Sequence, residues 1–390
     1  MLTNSWANSL FVAAALLFFF TGDVTGRQEV FGFFSGANWI YFDFETITTV
    51  CVTSVNMAEF EGGGTYDGLI SKAHEHGVRV VVFANAVCNS TEPSCLPLGD
   101  RPSARAKWVH AAVKLVEKYK IDGINFDYEE PLNATDPRVE AYTRLVNETR
   151  LALVQNYRSR SGKIGSQRSL PQISVDVAWS PHGIDGRFYD AVGLSEAADF
   201  LYIMAYDVAS QYDYNGAGEC VAKSNSPFDR VQMGVEHWVH TIKDPHKLIL
   251  GLPWYGFLYP CVGSKKAGES NCVIKSVPFR GSPCSDAAGG EQAYTSIMSL
   301  LHQSGSSVER DPVSKSPFFY FTDAKGSEHQ LWFDDPTSLA DKLALVREYG
   351  LGGAGPYEFS DLNFNQSSPI ARVETEKMWK VLRRLKKGTF

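Results

Sequence analysis

The chain has 390 residues, 44% of them apolar and 21% charged, a composition that excludes collagen-like, low-complexity and wholly disordered proteins. Its 37 Lys and Arg against 44 Asp and Glu give a formal net charge of −7, with the two signs interspersed, so the basic footprint of a nucleic-acid binder is missing. Length divided by about 150 suggests two or three domains, yet a single α/β barrel uses about 250 residues and takes insertions readily.

The first feature in chain order is the apolar run 10–20. As a helix it would reach about 16 Å, against a bilayer core of about 30 Å, so no membrane span is expected. The small residues Thr21, Gly22, Val24, Thr25 and Gly26 follow it. The segment 1–26 therefore reads as a secretory signal peptide, although its start carries no Lys or Arg; a buried core helix is the alternative. Secretory entry suits four sequons, at Asn89, Asn133, Asn147 and Asn365, which are candidate glycosylation sites. It also suits the cysteines, since an oxidising compartment favours three disulfides and one spare thiol among seven. Cys51 lies in the β-branched run 48–53 and is the expected spare. We expect Cys88–Cys95, Cys261–Cys272 and Cys220–Cys284 to pair. With no CxxC pair and no matching His spacing, a metal site is not expected.

From residue 27 onward, short β-rich runs alternate with segments of helical period, the pattern of a parallel sheet with crossover helices. Eight strands are predicted, at 29–34, 48–53, 79–84, 123–128, 172–178, 200–205, 248–252 and 352–355. Helical stripes appear as Trp108, Ala111, Ala112, Leu115 and Tyr119, and again as Met378, Val381, Leu382 and Leu385, both read as core faces. The alternation breaks at about 254–336, which holds Gly, Ser, Pro, three cysteines and the β-like run 318–322. The expected architecture is a (β/α)8 TIM barrel over 27–390 with a small α+β insertion after strand seven.

The most informative segment is Asp122-Gly123-Ile124-Asn125-Phe126-Asp127-Tyr128-Glu129. Strand side chains repeat every two residues, so Ile124, Phe126 and Tyr128 share one face while Asn125, Asp127 and Glu129 share the other. An apolar face under helices and an acidic face turned inward describe a barrel strand ending at the C-terminal rim, where barrel active sites sit. Asp127 and Glu129 have Cα atoms about 6.8 Å apart by strand rise. Like charges at that range oppose joint ionisation, which lets one carboxyl keep its proton and act as a general acid. Glu129, the outermost, is best placed for that role, whereas Asp122 has the opposite parity and braces the turn into the strand. An inward carboxylate pair could instead belong to a buried ion-pair network.

The segment resembles the D-G-x-D-x-D-x-E signature of glycoside hydrolase family 18, with Asn125 in place of the middle acid. That replacement removes a negative charge and leads us to expect a less crowded Asp127. The resemblance extends to Met204-Ala205-Tyr206-Asp207 on the sixth strand and Gly251-Leu252-Pro253-Trp254-Tyr255-Gly256 on the seventh. The segments Val175-Asp176-Val177-Ala178-Trp179-Ser180-Pro181 and Val277-Pro278-Phe279-Arg280-Gly281-Ser282-Pro283-Cys284 are similar to an exo-acting lysosomal branch of the family. The S-x-G-G motif of ordinary chitinases is absent from the third strand, and Tyr357 stands where the family usually places a Trp beneath the reacting sugar.

The resemblance implies hydrolysis of the β1,4 bond of N,N'-diacetylchitobiose units in oligosaccharides from N-glycoprotein breakdown. The implied reaction is retaining and substrate-assisted, with no cofactor. Glu129 would protonate the glycosidic oxygen, Asp127 orient the acetamido N–H, and Tyr206 donate to its oxygen. Asn125, Asp207, Trp179, Tyr255 and Tyr357 would contact the sugar. It further implies a lysosomal or secreted monomer acting on a GlcNAc-containing oligosaccharide. An endo-acting chitinase or endo-β-N-acetylglucosaminidase, and a non-catalytic lectin-like protein, are the competing readings.

Overall fold

The computed structural model describes residues 28–53, 65–84, 96–99, 101–161, 170–208, 219–262, 271–362 and 368–389. The proposed signal peptide, the Cys88–Cys95 pair and the sequons at Asn89 and Asn365 lie outside the described residues. The chain opens with β1 (Glu29–Phe34) and β2 (Thr49–Val52), followed by α1 (Thr65–Glu75), β3 (Arg79–Ala84), α2 (Pro102–Tyr119) and β4 (Gly123–Phe126). It continues through α3 (Pro137–Ser161), β5 (Gln172–Ala178), α4 (Ala191–Ala197), β6 (Phe200–Met204), α5 (Phe228–Thr241) and β7 (Leu248–Pro253). An excursion follows, made of β8 (Tyr255–Pro260), β9 (Gly290–Ala293), α6 (Tyr294–Ser304), β10 (Glu309–Arg310), β11 (Pro317–Thr322) and β12 (Glu328–Trp332). The chain then returns through α7 (Pro336–Glu348), β13 (Gly353–Tyr357) and α8 (Pro369–Lys387).

Strands β1 to β7 and β13 close into an eight-stranded barrel in which every pairing is parallel. The excursion forms a second, antiparallel sheet of order β10-β11-β12-β8-β9. This is the (β/α)8 TIM barrel with an α+β insertion after the seventh strand.

Strand alternation separates two cores. Inward residues such as Phe31, Phe33, Cys51, Val81 and Tyr202 fill the barrel, whereas Val30, Val80, Ile124 and Phe126 face the helices. Cys51 is buried and unpaired, behaving as a small hydrophobe. Gly355 permits a close approach, since a Cβ there would lie 1.6 Å from the Phe31 carbonyl oxygen. Helix α7 is started by local chemistry: Asp335 caps it by accepting from the N–H groups of Thr337 and Ser338, with Pro336 in the first turn.

The last predicted stripe holds, with Met378, Val381, Leu382 and Leu385 all buried on α8. The α2 stripe is shifted. Ala111 is exposed, and the buried face runs through Trp108, Val109, Ala112 and Val116. Counted from Arg105, whose stem is also buried, these are the i+3, i+4, i+7 and i+11 positions, one face of the helix. Among the described residues no helix is long and apolar enough to cross a membrane.

Candidate active site

A cleft of about 370 Å³ opens at the C-terminal rim of the barrel. Its lining includes Asp127, Glu129, Trp179, Tyr206, Asp207, Tyr255 and Tyr357, which brings together seven of the eight residues proposed from the sequence for catalysis or sugar contact. Tyr206, Tyr255 and Tyr357 form an aromatic cluster with centroids 5.6 to 6.1 Å apart. Tyr357 also stands 5.2 Å from Phe33 of β1. Tyr255 is almost fully buried and reaches the site through its hydroxyl, which donates to Asp207 Oδ1 at 2.7 Å. Asp207 opens onto the cleft, and its backbone takes a left-handed φ of 54° held by a 2.7 Å bond from its N–H to Asn225 Oδ1. Burial among neighbours, with added repulsion from Asp286, pushes its carboxyl up to about 7. Trp179 is only 2% exposed and packs against Ala178, Ile184 and Val208, so it walls the cleft and offers no open stacking face.

Asn125 corrects the sequence reading. It does not reach the cleft: it is fully buried, and its Nδ2 donates to Asp176 Oδ1 at 2.9 Å and Ser174 Oγ at 3.0 Å. Its strand position is two residues deeper than Asp127, below the rim. The charge it lacks is supplied from the next strand by Asp176, a cleft-lining residue that is 2% exposed. Asp127 is consequently crowded, contrary to expectation. Burial first, then the negative charge of Glu129, raises its carboxyl well above the usual range, with Arg187 opposing. Asp176 is raised for the same kind of reason, burial and then Asp127, with the Asn125 hydrogen bond opposing.

Burial thus raises the carboxyls of Asp127 and Asp176 together, and Glu129 stands in an ion pair that the sequence did not reveal. Arg187 Nη1 donates to Glu129 Oε2 at 2.6 Å, and Nη2 donates to Asp185 Oδ2 at 3.2 Å. The Arg187 and Asp185 side chains are each 8% exposed, against 49% for Glu129. Asp122 sits at the opposite end of β4, accepting from Val80 N and pairing with His74.

Cys220, between β6 and α5, is bonded to Cys284 of the insertion, and Cys261 to Cys272, each pair with Cα atoms 5.5 Å apart. The sequon residues Asn133 and Asn147 are exposed. No cluster of three or more metal-ligating side chains occurs among the described residues.

A carboxylate on the rim, a buried carboxyl beside it and tyrosines over a barrel mouth make a cleft of the shape and polarity that a sugar fits. A sequence model of Glycosyl hydrolases family 18 matches residues 83–361, and the chain belongs to that family and is a glycosidase. It is 36% identical over 357 residues to the di-N-acetylchitobiase of Rattus norvegicus, covering 91% of this chain and 88% of that one. It is 35% identical over 357 residues to the Homo sapiens di-N-acetylchitobiase, covering 91% and 83%. Among solved structures, the class V chitinase from Nicotiana tobaccum superposes with a TM-score of 0.68 at 19% identity, covering 90% of this chain and 99% of that one.

Proposed function

We propose that the protein hydrolyses the β1,4 bond of N,N'-diacetylchitobiose units in oligosaccharides released from N-glycoproteins, with retention at the anomeric carbon. The observation that carries this reading is the placement of Glu129, Asp127 and Tyr206 around one cleft, in a chain more than a third identical over most of its length to a di-N-acetylchitobiase.

In this reading the reacting sugar lies over Tyr357 with its 2-acetamido group between Asp127 and Tyr206. Arg187 occupies Glu129 Oε2, leaving Oε1 to deliver a proton to the glycosidic oxygen. As that bond breaks, the acetamido carbonyl oxygen bonds to C1; Asp127, with the proton of the buried pair resting on Asp176, accepts a hydrogen bond from the acetamido N–H, and its negative charge balances the oxazolinium. Tyr206 donates to the acetamido oxygen and holds it in line. Glu129, now a carboxylate against Arg187, then takes a proton from the water that opens the ring. Glu129→Gln is expected to lower kcat on chitobiose by about 10²- to 10⁴-fold while keeping the fold. NMR of the first-formed anomer should show the β product. Near-wild-type turnover in that variant, or an α product, contradicts the scheme.

A lysosomal monomer is the proposed setting, with secretion as the alternative. Secretory passage predicts glycans on Asn133 and Asn147. Glycosidase treatment should lower the mass of the protein from a eukaryotic host, and an unchanged mass rejects their occupancy.

A further inference from the structure

The loop after β4 carries Glu129, the loop after β5 carries Arg187, and the two are joined by an isolated rung of parallel sheet. Leu132 pairs with Arg187 there: the Leu132 N–H donates to the Gly186 carbonyl at 2.9 Å, and the Phe188 N–H donates to the Leu132 carbonyl at 3.0 Å. The Tyr189 hydroxyl adds a bond to the Glu130 carbonyl at 2.7 Å. This lacing brings the Arg187 guanidinium to the Glu129 carboxylate.

Side chains alternate along an extended segment, and partners in a parallel register share a face. Leu132 and Arg187 are both buried beneath the rung. Their successors, Asn133 and Phe188, therefore share the outer face, side by side at an interstrand spacing of about 4.8 Å. Both are exposed, Phe188 at 45%. The Phe188 ring rests on Gly183, where a Cβ would lie 2.3 Å from its Cε1 and where φ is 70°. Asn133 opens a turn closed by the Asp136 N–H donating to its carbonyl at 2.9 Å, and it begins the sequon Asn133-Ala134-Thr135. The other described sequon is differently placed: Asn147 lies within α3, and the buried Thr149 hydroxyl donates to the Leu145 carbonyl at 2.7 Å.

An exposed phenyl ring leaves apolar area in water, and the pyranose ring of GlcNAc presents a face of C–H groups. A sugar on Asn133 Nδ2 would start beside that ring. We propose that Asn133 is a glycosylation site whose first GlcNAc lies on the Phe188 ring and clamps the rung that holds Arg187 against Glu129. Attachment forms a bond from Nδ2 to C1 of a GlcNAc supplied by an activated glycosyl phosphate of the host; Nδ2 loses one proton and the phosphate leaves with the bonding pair. The clamp rests on the occupancy of Asn133 proposed above and makes no use of the catalytic scheme.

The test uses the full chain secreted from a eukaryotic host and trimmed by an endoglycosidase that leaves one GlcNAc. Peptide mass mapping is expected to find that sugar on Asn133. In NMR spectra the ring current of Phe188 should move its axial protons upfield of those in free GlcNAc-asparagine, and Phe188→Leu should return them. Hydrogen exchange of the residue 188 N–H should be about 2- to 12-fold faster in Asn133→Gln and in glycosylated Phe188→Leu than in the wild type, the factor that one aromatic contact is worth. Combining the two substitutions should add nothing, and Asn147→Gln should match the wild type. If Phe188→Leu is unfolded by thermal melting, the wild-type shift and the Asn133→Gln exchange rate carry the same expectation. Sugar on Asn133 with unshifted protons, or equal exchange in the wild type and Asn133→Gln, overturns the clamp. A bare Asn133 overturns its occupancy and the clamp with it, whereas chitobiose turnover in the same preparations reports separately on the catalytic reading.

Discussion

Asp361 makes the folded protein acid-loving in a way that can be worked through. It lies in the short turn Phe359–Asp361 just after β13, is 9% exposed, and accepts from the Glu358 N–H through Oδ2 at 3.0 Å. Burial is the main cause that pushes its carboxyl up to about 8; the Glu358 N–H opposes, and the charges of Glu358 and Glu291 add to the rise. In the unfolded chain an Asp ionises near 3.9. The folded state therefore binds the proton more tightly, so the stabilisation is fully present below about pH 4 and is lost as pH climbs through about 8. Between pH 5 and pH 8 the unfolded chain is ionised throughout while the folded one is still giving up its proton. The linkage over that interval costs on the order of 4 kcal/mol of unfolding free energy. Asp361→Asn keeps an acceptor for the Glu358 N–H and removes the titration. Urea unfolding at the two pH values should show wild-type stability falling as pH rises, and a smaller fall in the variant. Asp127 and Asp176, raised in the same direction, leave a residual slope. An unchanged slope in Asp361→Asn, or a wild type more stable at pH 8 than at pH 5, refutes the reasoning.

Arg187→Met removes the cation that restrains the Asp127 carboxyl, so Asp127 should hold its proton to higher pH and the acid limb of kcat/KM should move upward. Arg187→Lys should give a smaller displacement, and superimposable pH profiles for all three proteins would exclude this role. Tyr206→Phe deletes the donor assigned to the acetamido oxygen and is expected to cost about 10²- to 10³-fold in kcat, with KM and melting temperature little changed. A loss confined to KM would assign Tyr206 to ground-state binding instead.

The barrel was legible because its strands are short β-rich runs whose inward and outward faces differ chemically, and because the insertion interrupts the period with Gly, Pro and cysteine. Errors arose where spacing leaves two answers: Ala111 and Val109 both suit a helical stripe with Trp108, and the buried face of α2 takes Val109. The site was legible where its residues stand in short motifs at the ends of the strands, and not where a partner arrives from a distant loop. Arg187 meets Glu129 across 58 positions of sequence, and Asn225 orients Asp207 across 18. Both lie in stretches with no periodic pattern, so nothing local marks them. Asp176 did carry a signal. It alternates with Val175 and Val177, which face the helices, and an acid at an inward strand position asks for a partner.

That partner explains why the neutral residue at 125 is compatible with an acid-dependent site. The register pairs Asn125 with Ser174 and Phe126 with Val175, so the next step along both strands sets Asp127 level with Asp176, at an interstrand spacing of about 4.8 Å. With a carboxylate at 125, its oxygen would replace an amide that now lies 2.9 Å from Asp176 Oδ1. Three carboxyls would then crowd one layer of the barrel without a donor among them. An amide there supplies the N–H that Asp176 needs, and Asp176 supplies the charge that the fourth strand lacks. The acidic count at the floor of the cleft is thus held by two neighbouring strands together, and a reading confined to the fourth strand alone must judge Asp127 to be less crowded than it is.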